Sequence, residues 1–499
     1  MAFTHRFATN AVSPQTLRFL GAKVQLTCVL FSLCILSACG GSGGGSTSTP
    51  SSPTNTNTPT VGVVDLTQNK LLSDSELSVN MFPNLPAPKA ETATWLATQH
   101  QKLRSLTYDG DFSDLTFLEP LLRNKRIVQL GESSHGTREF SQAKVRLIKY
   151  LHEKLGYDVI AFESSMIGCY LQEQELVMGK SFKVNESCIF GVWSTSEVQE
   201  LFSYIERTHK TTKPLRLAGF DEQSSGWFDD AAKVRAWIEP ILLSLNEPKF
   251  AGLPRFVEES IKLGQDGAMC PSNRSSSSCT NFLANHASNT ASLASFAALL
   301  KPYADAAKVG ENTPLQMAYL TVLNVQKRLE VLKNGVDQPG YFEPRDKAMA
   351  DNISELAKAV YPQEKIIVWA HNAHISHGIS GYNGSGRTMG NFLLQTWGGQ
   401  LYSIGLFMLR GETANNDRTI MNVQMPLPDS LEAYASSLKL AAFILPLPNS
   451  DQAGTGDDWI FQPINFYVWG GFLTAKAPIG QQFNAVLFVD HSSMPQYVK

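Results

Sequence analysis

Glu132 and His135 stand three residues apart in the segment Gly131-Glu-Ser-Ser-His-Gly-Thr-Arg-Glu-Phe140. A carboxylate beside an imidazole orients the ring, favours its protonated form and brings its pKa toward the range useful for proton transfer. Such a histidine can take a proton from water, a contribution of about 10²–10⁴-fold in rate. A second imidazole pair, His371 and His374, lies in Trp369-Ala-His-Asn-Ala-His374. One of those rings can protonate a leaving group or hold an oxyanion. Further acids follow short apolar runs: Glu163 after Phe162, and Asp221 with Glu222 after Phe220.

The elements that would carry these side chains are strands. Arg126–Leu130, Tyr157–Phe162, Leu215–Phe220 and Lys365–Ala370 are brief apolar runs, the pattern of strands buried on both faces. Tyr402–Leu409 and Phe483–Val489 read the same way. Long helical stretches separate them. Phe140, Ala143, Leu147, Ile148, Leu151 and Leu155 mark one face of a helix that Thr137 can cap and Gly156 can end. Thr92–Leu106 reads as an earlier helix. The expected fold is α/β: a mostly parallel central sheet flanked by helices on both faces, with a helical insertion. In such sheets ligands bind beyond the carboxyl ends of the strands. Four predicted strands end in ionisable residues, so one cleft would collect them.

Lys144 falls on the apolar face of its helix, one turn from Phe140 and Ile148. It either snorkels to water or faces the acids as a buried cation. His377 reads as a solvent-exposed loop histidine. Three other chemistries compete for these residues. Gly131-x-Ser133 after a strand suggests a nucleophile elbow, but the glycine required two positions after the serine is His135. Glu132, His135, Glu163, His371 and His374 could ligate a divalent ion, as a metal-dependent hydrolase would need. The same groups suit a non-catalytic haem- or metal-binding envelope lipoprotein.

Taken in order, Gly131–Phe140, Lys144 and Arg146, Phe162-Glu163, Gly219-Phe-Asp221, Arg345-Asp346 with Met349-Ala350 and Asn352, and Trp369–His374 resemble the signature segments of the erythromycin esterase family. The resemblance runs from about residue 90 to near the C-terminus and is less clear between Gly411 and Gly480. It implies an α/β hydrolytic fold distinct from the α/β-hydrolases, with no cofactor and no required metal. It also implies lactone or ester cleavage by histidine-activated water. His135 would be the general base, oriented with its water by Glu132 and Glu163. His371 and His374 would complete the site, Lys144 would occupy a usually basic position, and Arg345 and Asp221 would be supports.

The N-terminus alters the expected role. Arg6, Arg18 and Lys23 precede an apolar run, Cys28–Leu36, far short of the ~20 residues needed to span a bilayer. Leu36-Ser-Ala-Cys39 then resembles a lipobox. Residues 1–38 would be a signal peptide, Cys39 the lipidated first residue, 39–61 a Gly/Ser/Thr/Pro tether and 62–499 the esterase-like domain, with a helical, Ser-rich insertion over about 235–335. Acyl chains strengthen membrane attachment by roughly 0.8 kcal/mol per buried CH₂. Gly40 after the cysteine points to the outer membrane of a Gram-negative envelope. The expected substrate is then a small-molecule ester or lactone other than erythromycin. Removing three cations from a chain of formal charge -3 leaves -6, so nucleic acid is not an expected partner. Beyond Cys28, Cys34 and Cys39, four cysteines remain, an even number suited to export. Of three possible connectivities, Cys169–Cys188 and Cys270–Cys279 close the shortest loops. A surface loop is expected from Gln265 to about Ser292.

Overall fold

A computed structural model describes residues 85–225, 229–270, 273–307, 313–334, 342–378, 386–449, 456–471 and 473–498. The segment expected to be a signal peptide, Cys39 and the expected tether lie outside the described residues. The strands are β1 (Gln101–Lys102), β2 (Ile127–Leu130), β3 (Tyr157–Ser165), β4 (Arg216–Asp221), β5 (Lys365–Trp369), β6 (Leu401–Ala414), β7 (Ile420–Asn422), β8 (Ala442–Pro446), β9 (Pro463–Trp469), β10 (Leu473–Pro478) and β11 (Ala485–Ser492). The main sheet runs β4-β3-β5-β2-β6-β11-β8-β1, with β7 pairing to β6, and β9 and β10 form a separate ribbon. The six strands from β4 to β11 pair in parallel, while β8 and β1 close the far edge antiparallel.

The apolar runs become central strands because both sheet faces are covered. Ile127, Val159, Ala161, Ala218, Ile366 and Val368 face a core shared with the helices Ala231–Leu243, Leu253–Ala268, Ser277–Ala306 and Thr313–Asn334. Their neighbours Val128, Ile160, Leu217 and Ile367 face a second core, against the helices Arg138–Leu155 and Ser196–Thr208. β2 leads across to β3, and β5 later inserts between them before the chain crosses to β6 on the other side of β2. In sheets of this kind ligands bind where the strand order reverses, which here is at the carboxyl ends of β2 and β5.

Several sequence expectations need correction. The first helix ends at Gln99, because Gln101 and Lys102 pair with Ile444 and Phe443 at the sheet edge. Thr137 sits at the cap position of its helix, but its hydroxyl makes no capping bond and lies 3.0 Å from that of Thr413 instead. Gly156 ends that helix with φ 68°, the left-handed geometry glycine adopts without strain. The expected loop over 265–292 is largely helical: Ser276 accepts the Cys279 N–H, and a helix continues to Ala306 with Phe282 and Leu293 buried. Burial of one face overrides the weak propensity of its serines and asparagines. Both disulfides, Cys169–Cys188 and Cys270–Cys279, are formed.

Candidate active site

Glu132 leaves the end of β2 in a turn made possible by close approach. A Cβ on Gly131 would lie 2.0 Å from Asn372 Oδ1. Asn372 donates to the Leu406 carbonyl (2.9 Å), accepts the Leu406 N–H (3.1 Å) and gives its own N–H to the Glu132 carbonyl (2.8 Å). The turn after β2 is thereby fastened to β5 and β6 together.

Both oxygens of the buried Glu132 are engaged. Oε1 is 2.6 Å from His135 Nδ1 and accepts the Trp193 indole N–H at 2.8 Å. Oε2 is 2.5 Å from the Lys144 ammonium, whose other neighbour is the Trp369 ring, 4.0 Å from Nζ. Lys144 is fully buried, so the snorkelling alternative is overturned. Burial pushes its pKa down to about 8 against the pull of Glu132. Because Nδ1 of His135 faces the carboxylate, Nε2 is left for a substrate or water. The His135 side chain keeps 11% of its surface open while Glu132 keeps none. Its ring meets Trp193 and His371 at 5.0 Å and Trp469 at 5.8 Å between centroids.

A second group of charges lies at the ends of β3 and β4. Arg345, from the helix Phe342–Glu355, reaches Glu163 Oε1 at 3.0 Å and Asp221 Oδ2 at 2.5 Å. Glu163 Oε2 accepts the His371 N–H at 2.9 Å. Glu163, expected to help Glu132 orient His135 and its water, makes its bonds to Arg345, His374 and the His371 backbone, and it acts on His135 through charge. Burial opposes ionisation of Glu163, but His374 and Arg345 outweigh it and hold its pKa well below the usual range. Glu222 behaves in the opposite way. Burial and the adjacent Asp221 push it up to about 8, although Arg328 donates to it at 3.0 Å.

The histidines are driven apart. His374 Nδ1 is 2.9 Å from Asp346 Oδ1, and Nε2 is 3.3 Å from Glu163 Oε1 and 3.0 Å from Arg345 Nη1. A charged ring donates to Glu163, whereas a neutral one accepts from Arg345. Burial disfavours the charge, yet Asp346 and Glu163 raise its pKa to about 10. Two flanking carboxylates against one guanidinium support the charged form. His371 is pushed well below the usual value by burial and by His135. Its Nδ1 accepts the Ala373 N–H at 3.0 Å. Neighbouring groups with pKa values separated in this way are common at functional sites and also occur in structural ion-pair networks.

All eight residues predicted for the site converge at these strand ends. His377 is corrected: it is buried, its Nε2 lies 2.8 Å from Ser403 Oγ, and burial lowers its pKa to about 4. Sequence reading missed Trp193, Trp469 and the role of Asp346. Trp193 lies on a turn just past Cys188, so the disulfide to Cys169 was the one available pointer to its place. Trp469 ends β9, which no strand prediction covered.

The donor set does not fit a metal. The Glu132 and Glu163 oxygens face Lys144, His135, Trp193, Arg345 and His374, and no group of three His, Cys, Asp or Glu among the described residues is arranged to hold an ion.

Comparison with known proteins agrees with this architecture. A family model described as erythromycin esterase matches residues 152–492, a span holding Glu163, Asp221, Arg345, His371 and His374 but not Glu132 or His135. The Bacillus subtilis (strain 168) protein YbfO, which carries a hydrolase name, is 30% identical over 422 residues, covering 77% of this chain and 88% of its own. An Escherichia coli erythromycin esterase type II is 24% identical over 344 residues, covering 64% of this chain and 78% of its own. A solved structure of a histidine-to-asparagine variant of the erythromycin esterase EreC, in an open conformation, shares the fold. Its TM-score is 0.58 and its identity 19%, covering 80% of this chain and 99% of its own. The family match spans well over half of the chain, which belongs to the erythromycin esterase family and is a hydrolase of that family.

Proposed function

We propose that this hydrolase cleaves a carboxylic ester or lactone with water activated by His135. The observation that carries the reading is the Glu132–His135 contact of 2.6 Å, fixed by Lys144 and Trp193 at the carboxyl end of β2. His135 Nε2 takes a proton from water as the water oxygen attacks the carbonyl carbon. Glu132 stabilises the imidazolium that forms. When the carbon–oxygen bond breaks, the same imidazolium protonates the departing alkoxide, giving an acid and an alcohol. Neutral His371 keeps a second positive charge away from His135. Charged His374, backed by Asp346, supplies the positive potential that favours the oxyanion. The names of the relatives support an ester substrate. The lipobox-like Leu36-Ser-Ala-Cys39 supports a lipid-anchored envelope protein acting on a substrate other than erythromycin.

The test is a panel of esters and lactones offered to the purified protein and to His135→Ala. Turnover by the parent alone supports the reading, and equal turnover by both sinks it. A chelator should leave the rate unchanged.

Ser133 is a poor nucleophile here. An elbow serine sits on strained backbone, yet among the described residues positive φ outside glycine occurs at Asn246, Arg418, Asp429 and Lys439. Ser134 Oγ is taken up at 2.6 Å by Thr413. Replacing both serines with alanine should change kcat only a few-fold, with about 1 kcal/mol lost in stability from the hydrogen bond. A fall to the His135→Ala level would install a serine mechanism instead.

His374 makes a pH prediction. Its folded pKa is raised, so the charged form persists at neutral pH and is lost as pH rises through about 10. An alkaline fall in kcat/KM is expected there. Asp346→Asn keeps a hydrogen-bond acceptor for His374 and for the Met389 N–H but removes the charge. It should move that limb toward neutral pH, because burial and Arg345 then act against less opposition. A pH–rate profile whose alkaline limb stays in place in the variant would remove His374 from the mechanism.

A further inference from the structure

Resting on that esterase reading, we propose that the β9–β10 ribbon and the segment beside it form an apolar ledge. It would receive the hydrocarbon part of the substrate, so that the ester carries a medium or long alkyl or acyl chain. Trp469, the last residue of β9, lies against the reacting histidines, its ring 4.9 Å from that of His371 and 5.8 Å from that of His135. Leu473 stands directly opposite Trp469 in the ribbon. The register shifts between Leu473 and Thr474, so Leu473 is placed beside Trp469 by this one pairing and not by a regular alternation of faces along the ribbon. It is 45% exposed, and Met425 and Ile420, on the segment whose Gln424 N–H bonds to Gly471, are 60% and 56% exposed.

These side chains stand on firmly bonded backbone. Tyr467 Oη donates to the carbonyls of Gln424 and Met425, both at 2.8 Å, and the Gln424 N–H donates to the Gly471 carbonyl at 3.1 Å. Buried Glu432 accepts the Tyr467 N–H at 2.8 Å. The Gly470 N–H donates to the Ser133 carbonyl at 3.0 Å, which joins the ribbon to the turn carrying Glu132 and His135. Ile420 pairs with Ala414, and Ala414 bridges to Gly136, the neighbour of His135. The backbone beneath these side chains is thus bonded to the turn that carries Glu132 and His135. Exposed apolar groups on backbone bonded to a reactive turn are where an apolar part of a ligand is expected to lie.

The experiment measures kcat/KM of the full chain for p-nitrophenyl acetate, butyrate, octanoate and dodecanoate. Burial of each added methylene is expected to raise kcat/KM by about two- to fourfold over the first several carbons. Leu473→Asp and Met425→Asp should each cut the octanoate-to-acetate ratio at least tenfold, and Leu299→Asp, on a distant helix, should leave it intact. A flat chain-length profile in the parent, or a ratio unmoved by both ledge variants, overturns the ledge. Binding of N-phenyl-1-naphthylamine, competed by decanol, reads the same surface without turnover. If no ester is hydrolysed but this binding weakens tenfold in Leu473→Asp, the ledge stands and the esterase reading falls. Flotation with phosphatidylcholine vesicles that depends on Leu473, together with a flat ester profile, would reassign the surface to membrane contact and overturn the proposal.

Discussion

His135→Ala is expected to lower kcat by about two to four orders of magnitude, the range supplied by a positioned general base. KM should change little, since the ring acts on water rather than anchoring substrate. The fold should survive the change. The side chain is partly open, and Glu132 keeps its contacts with Lys144 and Trp193 when the ring is gone. What is lost is mainly edge packing against Trp193, Trp469 and His371, worth about 1 kcal/mol for each aromatic contact at most. Steady-state rates paired with a denaturation curve separate the two effects. A kcat within threefold of the parent in a folded variant would show that His135 is not the base. The contrast with Glu132 is informative. Removing that carboxylate leaves Lys144 without its ion-pair partner, so Glu132→Ala should damage stability and rate together.

The strand ends could be read from sequence because parallel strands buried on both faces are continuous apolar runs, and the charge that follows each one marks its carboxyl end. Glu132, Glu163, Asp221 and His371 were placed by that rule. Other residues depended on partners that periodicity cannot see. Arg345 lies in a helix whose pattern gives no sign that one guanidinium would join the ends of two strands. Trp193 arrives from a turn 61 residues after Glu132, and Trp469 from a ribbon outside the main sheet. His377 looked like a loop residue because its neighbours are small and polar. It is buried because β6 supplies a serine at the right height and Asn391 takes its carbonyl at 3.0 Å. The Ser-rich helix was misread for the opposite reason. Its local composition favours a loop, and the burial that holds it comes from a thin stripe of Cys279, Phe282, Leu293, Ala297, Leu300 and Ala304.

The largest stability effect should come from Arg345. In Arg345→Ala, Glu163 and Asp221 remain buried at the strand ends with Asp346 close by, and the cation that neutralised two of them is gone. Removing one partner of a buried ionic group costs about 3–5 kcal/mol, mostly because the remaining charge is stranded. Arg345→Lys should recover only part of this loss. A point charge cannot meet Glu163, Asp221 and the His374 ring in the fork geometry of a guanidinium. The sign of the pH dependence follows from Glu163, whose pKa the intact cluster holds well below the usual carboxylate range. In the parent that shift contributes stability above the unfolded value near 4.3, which is lost as pH falls toward the folded value. Without Arg345 the folded value rises, so the parent's advantage is greatest near neutral pH and shrinks under acid conditions. Adding Asp221→Asn to Arg345→Ala should restore part of the loss at pH 7 by removing one stranded charge. Urea unfolding of the parent, Arg345→Ala and the double variant at pH 5 and pH 7 measures each step. Equal midpoints for the parent and Arg345→Ala at pH 7 would mean that the carboxylates do not depend on this arginine. The strand ends would then have to be held by the hydrogen bonds of Asn372 and Gly470 alone.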